Sequence, residues 1–192
     1  LQSQINPHFL YNTLDIIVWM IENEKPDQAV KAVTALARFF RISLSRGKSI
    51  ITVKDELEHV RNYLMIQHMR FKNRFSYTIE AEDEVLELAS LKLMLQPLVE
   101  NAIYHGMEFM DGDGEIFISA WKEGEDLYLK VSDNGLGMTE EQVAHVTDPF
   151  FTTRKTRKVG LGIPFFKYAA ESTGGSFTID STPGAGTTVT AV

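Results

Sequence analysis

Gln96-Pro97-Leu98-Val99-Glu100-Asn101-Ala102-Ile103-Tyr104-His105-Gly106 is the stretch whose reading decides the fold. With Leu91 and Leu95 before them, Leu98 and Val99 keep helical spacing, which predicts a helix from Ser90 to about Tyr104 with one apolar face. Glu100, Asn101 and His105 are polar and spaced to emerge together. An adjacent carboxylate and amide offer oxygens to Mg2+, a hard ion that keeps several waters and leans on substrate phosphates. The plainer reading is a helix end whose polar residues face water.

Around this helix the chain reads as short strands, at Phe75 to Glu80, Ile116 to Trp121 and Leu127 to Asp133, with two more ending at Val192. Asp133-Asn134-Gly135-Leu136-Gly137-Met138 follows a strand directly. An Asp there can accept from an exocyclic amine such as that of adenine, and the glycines let backbone pass close to a flat base. Gly160-Leu161-Gly162 opens a helix running from about Ile163 to Ser172, with Pro164 near its first position. Free amides at such a start form an anion site, and Arg154, Lys155, Arg157 and Lys158 add positive charge just before it. Pro183-Gly184-Ala185-Gly186-Thr187-Thr188 is a turn between strands. Taken singly, each has an ordinary explanation: an Asp-Asn-Gly turn, a common Gly-x-Gly helix start, a solvated basic face.

Upstream, Gln4-Ile5-Asn6-Pro7-His8-Phe9-Leu10-Tyr11-Asn12 opens a helix. Asn6 suits its N-cap and Pro7 its first position, which places His8 in the exposed first turn. Asn12, four residues on, lies on the same face and can bond one ring nitrogen, leaving the other as a neutral nucleophile near pH 7. Leu10, Leu14, Ile17, Val18 and Ile21 keep helical spacing to a break at Glu22 to Pro26. A second helix follows from about Asp27 to Leu44, with Ala29, Val33, Leu36, Phe40 and Leu44 on one face. Two helices have too little core, so the apolar stripe they leave predicts a homodimer, the same hairpin from a second chain completing a four-helix bundle. Thr52 caps a third helix reaching about Phe71, whose Leu57, Val60, Leu64 and Met65 face inward.

The chain has 192 residues, 44% hydrophobic and 23% charged, which suits one or two globular domains. A formal net charge of -7 disfavours general nucleic-acid binding, and the lack of cysteine removes disulfides and thiolate metal sites. No apolar run approaches the ~18 residues of a membrane span, and no signal-peptide pattern is present at Leu1. Opening inside a helical pattern and closing inside a strand, the chain is expected to be a soluble piece of something longer.

Together, in this order, the motifs resemble the ATP-binding domain shared by histidine kinases, gyrase, Hsp90 and MutL. Gln96 to Gly106 is similar to its N box, Asp133 to Gly137 to its first glycine box, and Asp148-Pro149-Phe150-Phe151-Thr152-Thr153 to its F box. Gly160 to Gly162 and Gly184 to Thr188 are similar to its later glycine boxes. Ser3 to Leu14, with Tyr63-Leu64 and Arg70-Phe71, resembles the phosphoacceptor region of LytS-type bacterial sensor histidine kinases, although that type generally lacks a clear F box. Phe9 stands where orthodox kinases carry an acidic residue directly after the histidine.

The resemblance implies an α+β protein. A dimerising phosphoacceptor hairpin over residues 1–50 precedes an ATP-binding α/β sandwich with a mixed sheet over 51–192, with a linking helix at 53–71. It implies autophosphorylation of His8 by Mg-ATP, then transfer to the receiver domain of a response regulator. Asn12 would orient His8, Glu100 would orient a Mg2+ water or act as base, and Asn101 would bind Mg2+. The nucleotide would be bordered by His105, Asp133, Gly135, Gly137, Phe150, Arg154, Lys155, Gly160, Leu161, Gly162 and Thr187, under a lid at about Met138 to Val159. The expected setting is the cytoplasmic side of a membrane-anchored sensor, anchored through a segment outside this chain. Two other functions fit the same fold: an ATP hydrolase or clamp in which Glu100 activates water, and a non-catalytic dimerising nucleotide-binding scaffold.

Overall fold

Asn6 accepts from the His8 amide through its side-chain oxygen at 3.1 Å, and Pro7 takes the first helical position of α1 (Pro7–Glu22). The computed structural model describes residues 6–44, 48–72, 74–107, 110, 112–151 and 162–192. The chain turns back at Glu24, which has a left-handed φ of 55°, into α2 (Pro26–Ser43). Between the two helices Phe9, Thr13, Ile17 and Met20 are buried, as are Ala29, Ala32, Ala35, Leu36 and Phe39. The small alanines let the backbones approach.

The first-helix stripe expected from periodicity therefore divides. Ile17 points inward, while Leu14, Val18 and Ile21 are exposed because Phe9, Thr13 and Met20 fill the inner side. Val30 and Val33 of α2 are exposed as well, so one face of the hairpin is apolar and uncovered.

Thr52 ends β1 (Ile50–Thr52) and caps α3 (Val53–Arg70) by accepting from the Asp55 amide at 3.1 Å. This helix packs on α2 along one side and on the sheet-containing part along the other. Leu57, Val60 and Leu64 are buried as periodicity predicts, and Met65 is half-buried. Fully burying one such side chain contributes roughly 1.5–3 kcal/mol. The same helix also buries Glu56, His59 and Gln67 completely.

The helix expected from Ser90 starts only at Leu95. Ala89–Leu91 instead form β3, antiparallel to β1 with Ser90 opposite Ile51. The cause lies outside the segment. Buried Glu56 accepts from the amides of Leu93 and Leu95, both at 2.8 Å, and so caps α4 (Leu95–Asn101) from the neighbouring helix. The end of α4 widens into a π-helical turn, Ala102–Met107.

A five-stranded mixed sheet follows the order β2-β4-β5-β7-β6, formed by β2 (Phe75–Ala81), β4 (Gly114–Glu123), β5 (Asp126–Asp133), β6 (Phe177–Thr182) and β7 (Gly186–Ala191). Only the β2–β4 pair is parallel. One sheet face buries Ile116, Ile118, Leu129, Val131 and Val189. α6 (Gly162–Ser172) covers it with Phe166, Ala169 and Ala170, beside α4. Within the expected lid lies a short helix, α5 (Glu140–His145), started by a capping box between Thr139 and Gln142. The architecture is thus a helical N-terminal part followed by an α/β sandwich.

Candidate functional site

The site is built where the end of α4 meets the end of β5. Glu100 and Asn101 occupy the last positions of α4 and are half-buried, with Gln96 donating to Glu100 at 3.0 Å. The π turn then brings Gly106 over Asp133, the last residue of β5. A Cβ on Gly106 would stand 3.0 Å from Asp133 Oδ1, and one on Gly135 would overlap the Gly106 backbone. Glycine at both positions is what lets helix end and turn pack in contact.

Asp133 Oδ1 accepts from the Gly135 amide at 2.9 Å. Burial pushes the carboxyl up to about 6, and hydrogen bonds from the Gly135 and Thr187 amides oppose that shift. At neutral pH it is chiefly a carboxylate, an acceptor in a partly desolvated place. Thr187 lies opposite it on β7, its hydroxyl 2.9 Å from that of Ser181. Ser181 also receives the Met138 amide at 2.8 Å, and Gly184 donates to the Leu136 carbonyl at 2.7 Å, so the glycine turn is pinned to the β6–β7 turn. Gly137 has a φ of 64°, and a side chain there would strike the Thr182 carbonyl. Ser181 is absent from the motif reading because its role depends on a turn more than 40 residues earlier.

Gly162 opens α6 against α4. A Cβ on it would lie 3.0 Å from Pro97 Cβ and 3.8 Å from the Asn101 amide nitrogen. Asn101, Asp133, Gly135, Gly162 and Thr187, dispersed in sequence, thereby border one region, and His105 is half-buried in the adjoining π turn. Phe150 stands apart, 68% exposed with a φ of 71°. Arg154, Lys155, Gly160 and Leu161 lie outside the described residues. The donor set fits Mg2+: Glu100 and Asn101 offer hard oxygens side by side at the end of α4.

His8 stands exposed on the first turn of α1, with the Asn12 amide nitrogen 3.0 Å from Nδ1. Its neighbour Phe9 turns inward, its ring 5.0 Å from Phe39 and 5.1 Å from Tyr63 between centroids.

Sequence reasoning missed a set of buried polar residues on α3. Besides Glu56, whose carboxyl burial raises to about 7 against the amides of Leu95, Leu93 and Met94, there is His59. Its Nε2 lies 2.8 Å from the Ser43 hydroxyl, its ring stacks on Phe39 at 4.4 Å, and burial lowers it to about 4. Gln67 donates to the hydroxyls of Tyr63 at 2.8 Å and Tyr104 at 3.1 Å, and Arg70 donates to Tyr104 at 2.9 Å. Burial and then the charge of Glu100 hold the Tyr63 phenol well above its usual range. On one strand of sequence these residues look like a solvated helix face.

A helix end carrying Glu-Asn over an Asp-x-Gly turn on a mixed sheet defines an ATP-binding α/β sandwich. Residues 87–192 match the family model described as histidine kinase-, DNA gyrase B- and HSP90-like ATPase, and residues 1–75 match that described as histidine kinase. The chain belongs to the histidine kinase family. It is 42% identical over 138 residues to the sensor histidine kinase YesM of Bacillus subtilis, covering 72% of this chain and 24% of YesM. It is 40% identical over 134 residues to BtsS, a sensor histidine kinase of Escherichia coli, covering 70% and 24%. The chain therefore spans about a quarter of the length of these relatives. In fold it is similar to the catalytic domain of histidine kinase ThkA, with a TM-score of 0.56 at 19% identity over 73% of this chain and 91% of that one. The histidine kinase domain of a blue-light activated kinase from Erythrobacter litoralis gives 0.53 at 18% identity, covering 92% and 85%.

Proposed function

We propose that this chain is the phosphoacceptor and ATP-binding part of a sensor histidine kinase that phosphorylates His8 from Mg-ATP and passes the group to an aspartate of a response regulator receiver domain. The observation that carries the reading is His8 itself, exposed on a proline-started helix with one ring nitrogen engaged by Asn12. Residues 1–50 serve as the dimerisation hairpin, and residues 51–192, including the helix at 53–71, as the ATP-binding domain. The uncovered face with Leu14, Val18, Ile21, Val30 and Val33 takes a second copy, giving a four-helix bundle.

In the transfer, a lone pair on the His8 ring attacks the γ-phosphorus in line. The N–P bond forms as the bond to the bridging oxygen breaks, ADP keeps that electron pair, and the ring N–H proton is released. Such transfer needs positioning and charge neutralisation more than covalent help from the protein. Asn12 sets the tautomer: with its amide oxygen turned to Nδ1 the proton stays there and Nε2 is free, whereas its amide nitrogen on Nδ1 puts the proton on Nε2. Since Phe9 turns into the interior, no acidic side chain follows His8, and a neutral imidazole needs none. Asp133 would accept from the adenine amine, Asn101 would hold Mg2+, and Glu100 would orient a metal-bound water or act as base. Bound Mg2+ neutralises phosphate charge. By the same resemblance His105, Gly135, Gly137, Phe150, Gly160, Leu161, Gly162 and Thr187 would border the nucleotide, and Arg154 and Lys155 would add positive charge from the lid. Among the described residues no helix is long and apolar enough to cross a membrane, which suits a cytoplasmic part of a sensor anchored elsewhere in its sequence.

The test is incubation with γ-labelled ATP. Acid-labile, alkali-stable label on the protein, lost in His8→Ala and kept in His68→Ala, supports the reading. Steady phosphate release with no labelled protein overturns it.

A further inference from the structure

Between the phosphoacceptor helix and the helix that carries Glu100 and Asn101 stands a buried polar contact that the proposed reaction does not use. Phe9, the residue after His8, rests on the Tyr63 ring at 5.1 Å between centroids. Tyr63 is 2% exposed, and its hydroxyl accepts from the Gln67 amide at 2.8 Å. The same amide nitrogen reaches the Tyr104 hydroxyl at 3.1 Å, in the π turn directly after Asn101. Gln67 is fully buried and spends both amide hydrogens on two phenols belonging to two different elements. A wholly buried amide is costly unless satisfied, so this bridge admits few alternative geometries. Arg70 closes it from the outer side at 2.9 Å from the Tyr104 hydroxyl. At the other end of α4, Glu56 holds the amides of Leu93 and Leu95. One helix, α3, thus grips the Glu100-Asn101 segment at both ends, while Phe9 of α1 rests on Tyr63 within α3.

We infer that Gln67 is a positioning residue for phosphoryl transfer: through Tyr63 and Tyr104 it fixes the helix end bearing Glu100 and Asn101 relative to the helix bearing His8. This inference rests on the kinase reading above. The Gln67 amide hydrogens are spent on Tyr63 and Tyr104 rather than on His8 or a nucleotide, so its effect is on the step that brings the two halves together rather than on nucleotide affinity. Small displacements of reacting groups are expensive in rate, about a hundredfold for 1 Å.

The test uses the longest soluble dimeric form of the kinase that labels itself, with Gln67→Met, which keeps the length and removes the amide, Gln67→Glu, which turns a double donor into an acceptor, and Tyr104→Phe. The expected result is a tenfold or greater fall in the rate of His8 labelling at saturating ATP for both Gln67 variants, with a smaller fall for Tyr104→Phe. The KM for ATP and the affinity for a fluorescent ATP analogue should stay within about threefold of wild type in all three. Equal losses of analogue affinity and rate would overturn the inference, as would wild-type rates in both Gln67 variants. Should a Gln67 variant unfold, Tyr104→Phe alone decides: a rate loss without an affinity loss supports the inference, and any other pattern overturns it. Absence of His8 label in the wild-type dimer, with analogue still bound, would instead strike the kinase reading itself.

Discussion

Asn12 Nδ2 lies 3.0 Å from His8 Nδ1, one helical turn away on the solvent side of α1. An amide can offer either of its ends to the ring, so it can support either neutral tautomer. A carboxylate at position 12 can only accept, which holds the proton on Nδ1 and leaves Nε2 to attack. Asn12→Asp should therefore label at a rate within about threefold of wild type. Asn12→Leu should be slowed roughly tenfold, about the worth of one hydrogen bond. Initial rates of phosphohistidine formation at saturating ATP separate the two.

On the proposed reading, Asp133 should make nucleotide binding pH-dependent. Its carboxyl, raised to about 6 by burial, is a stronger acceptor for a nucleobase amine when ionised than when protonated. Affinity for ATP should weaken as pH falls through 6. Asp133→Asn should bind about tenfold more weakly at pH 8 and show little change between pH 7 and pH 5.5. Calorimetric titration across that range is the measurement.

Glu56 and His59, one turn apart on α3, pull stability in opposite directions. The folded Glu56 holds its proton up to about pH 7, above its ordinary 4.5, so its contribution to stability is present at low pH and lost as pH rises through 7. The folded His59 stays neutral down to about pH 4, below its ordinary 6.5, so its contribution is present above 6.5 and lost as pH falls toward 4. Lys92 lowers both. Between about pH 4.5 and 6.5 the two slopes offset each other. Relative to wild type, Glu56→Gln should make stability rise more steeply with pH in that window, and His59→Phe should make it fall, each by up to about 1.4 kcal/mol per pH unit. Urea midpoints at several pH values test both signs. Glu56→Gln should also be less stable at neutral pH by about 1–3 kcal/mol, because one of the two amides it caps loses its acceptor.

Val33 is 50% and Leu14 44% exposed on the uncovered face of the hairpin. A charge there meets water in a single chain and an apolar partner in a dimer. Leu14→Glu with Val33→Glu should be monomeric in sedimentation at concentrations where wild type is dimeric. The sheet domain should keep its affinity for an ATP analogue, since neither residue belongs to its core.

Much of the architecture was legible in one dimension. The strands of the sheet and the last helix follow from alternation and from glycine punctuation, and Asn6, Pro7 and Thr52 act at the helix starts where local capping rules put them. These are short-range effects. The misplaced start of α4 shows where they stop: Leu91 fits a strand or a helix by periodicity, and only the β1 strand beside it and the Glu56 carboxylate beneath Leu93 decide. The short helix after Thr139 was missed although its Thr-x-x-Gln capping box is written in the sequence.

By itself the sequence determined the order of the four longer helical segments and of the five sheet strands, the motif spacing and hence the family, because strand alternation, helix caps and glycine turns act over a few residues. Only the tertiary structure decided which apolar residues of the hairpin turn inward, where the Glu100-Asn101 helix begins, and that Glu56, His59 and Gln67 are buried rather than solvated. The reason is physical. A polar side chain leaves water at low cost only where a partner meets it, and here the partners are Leu93 and Leu95, Ser43, and Tyr104, which folding alone brings within hydrogen-bond reach, while His59 buries Nδ1 without one.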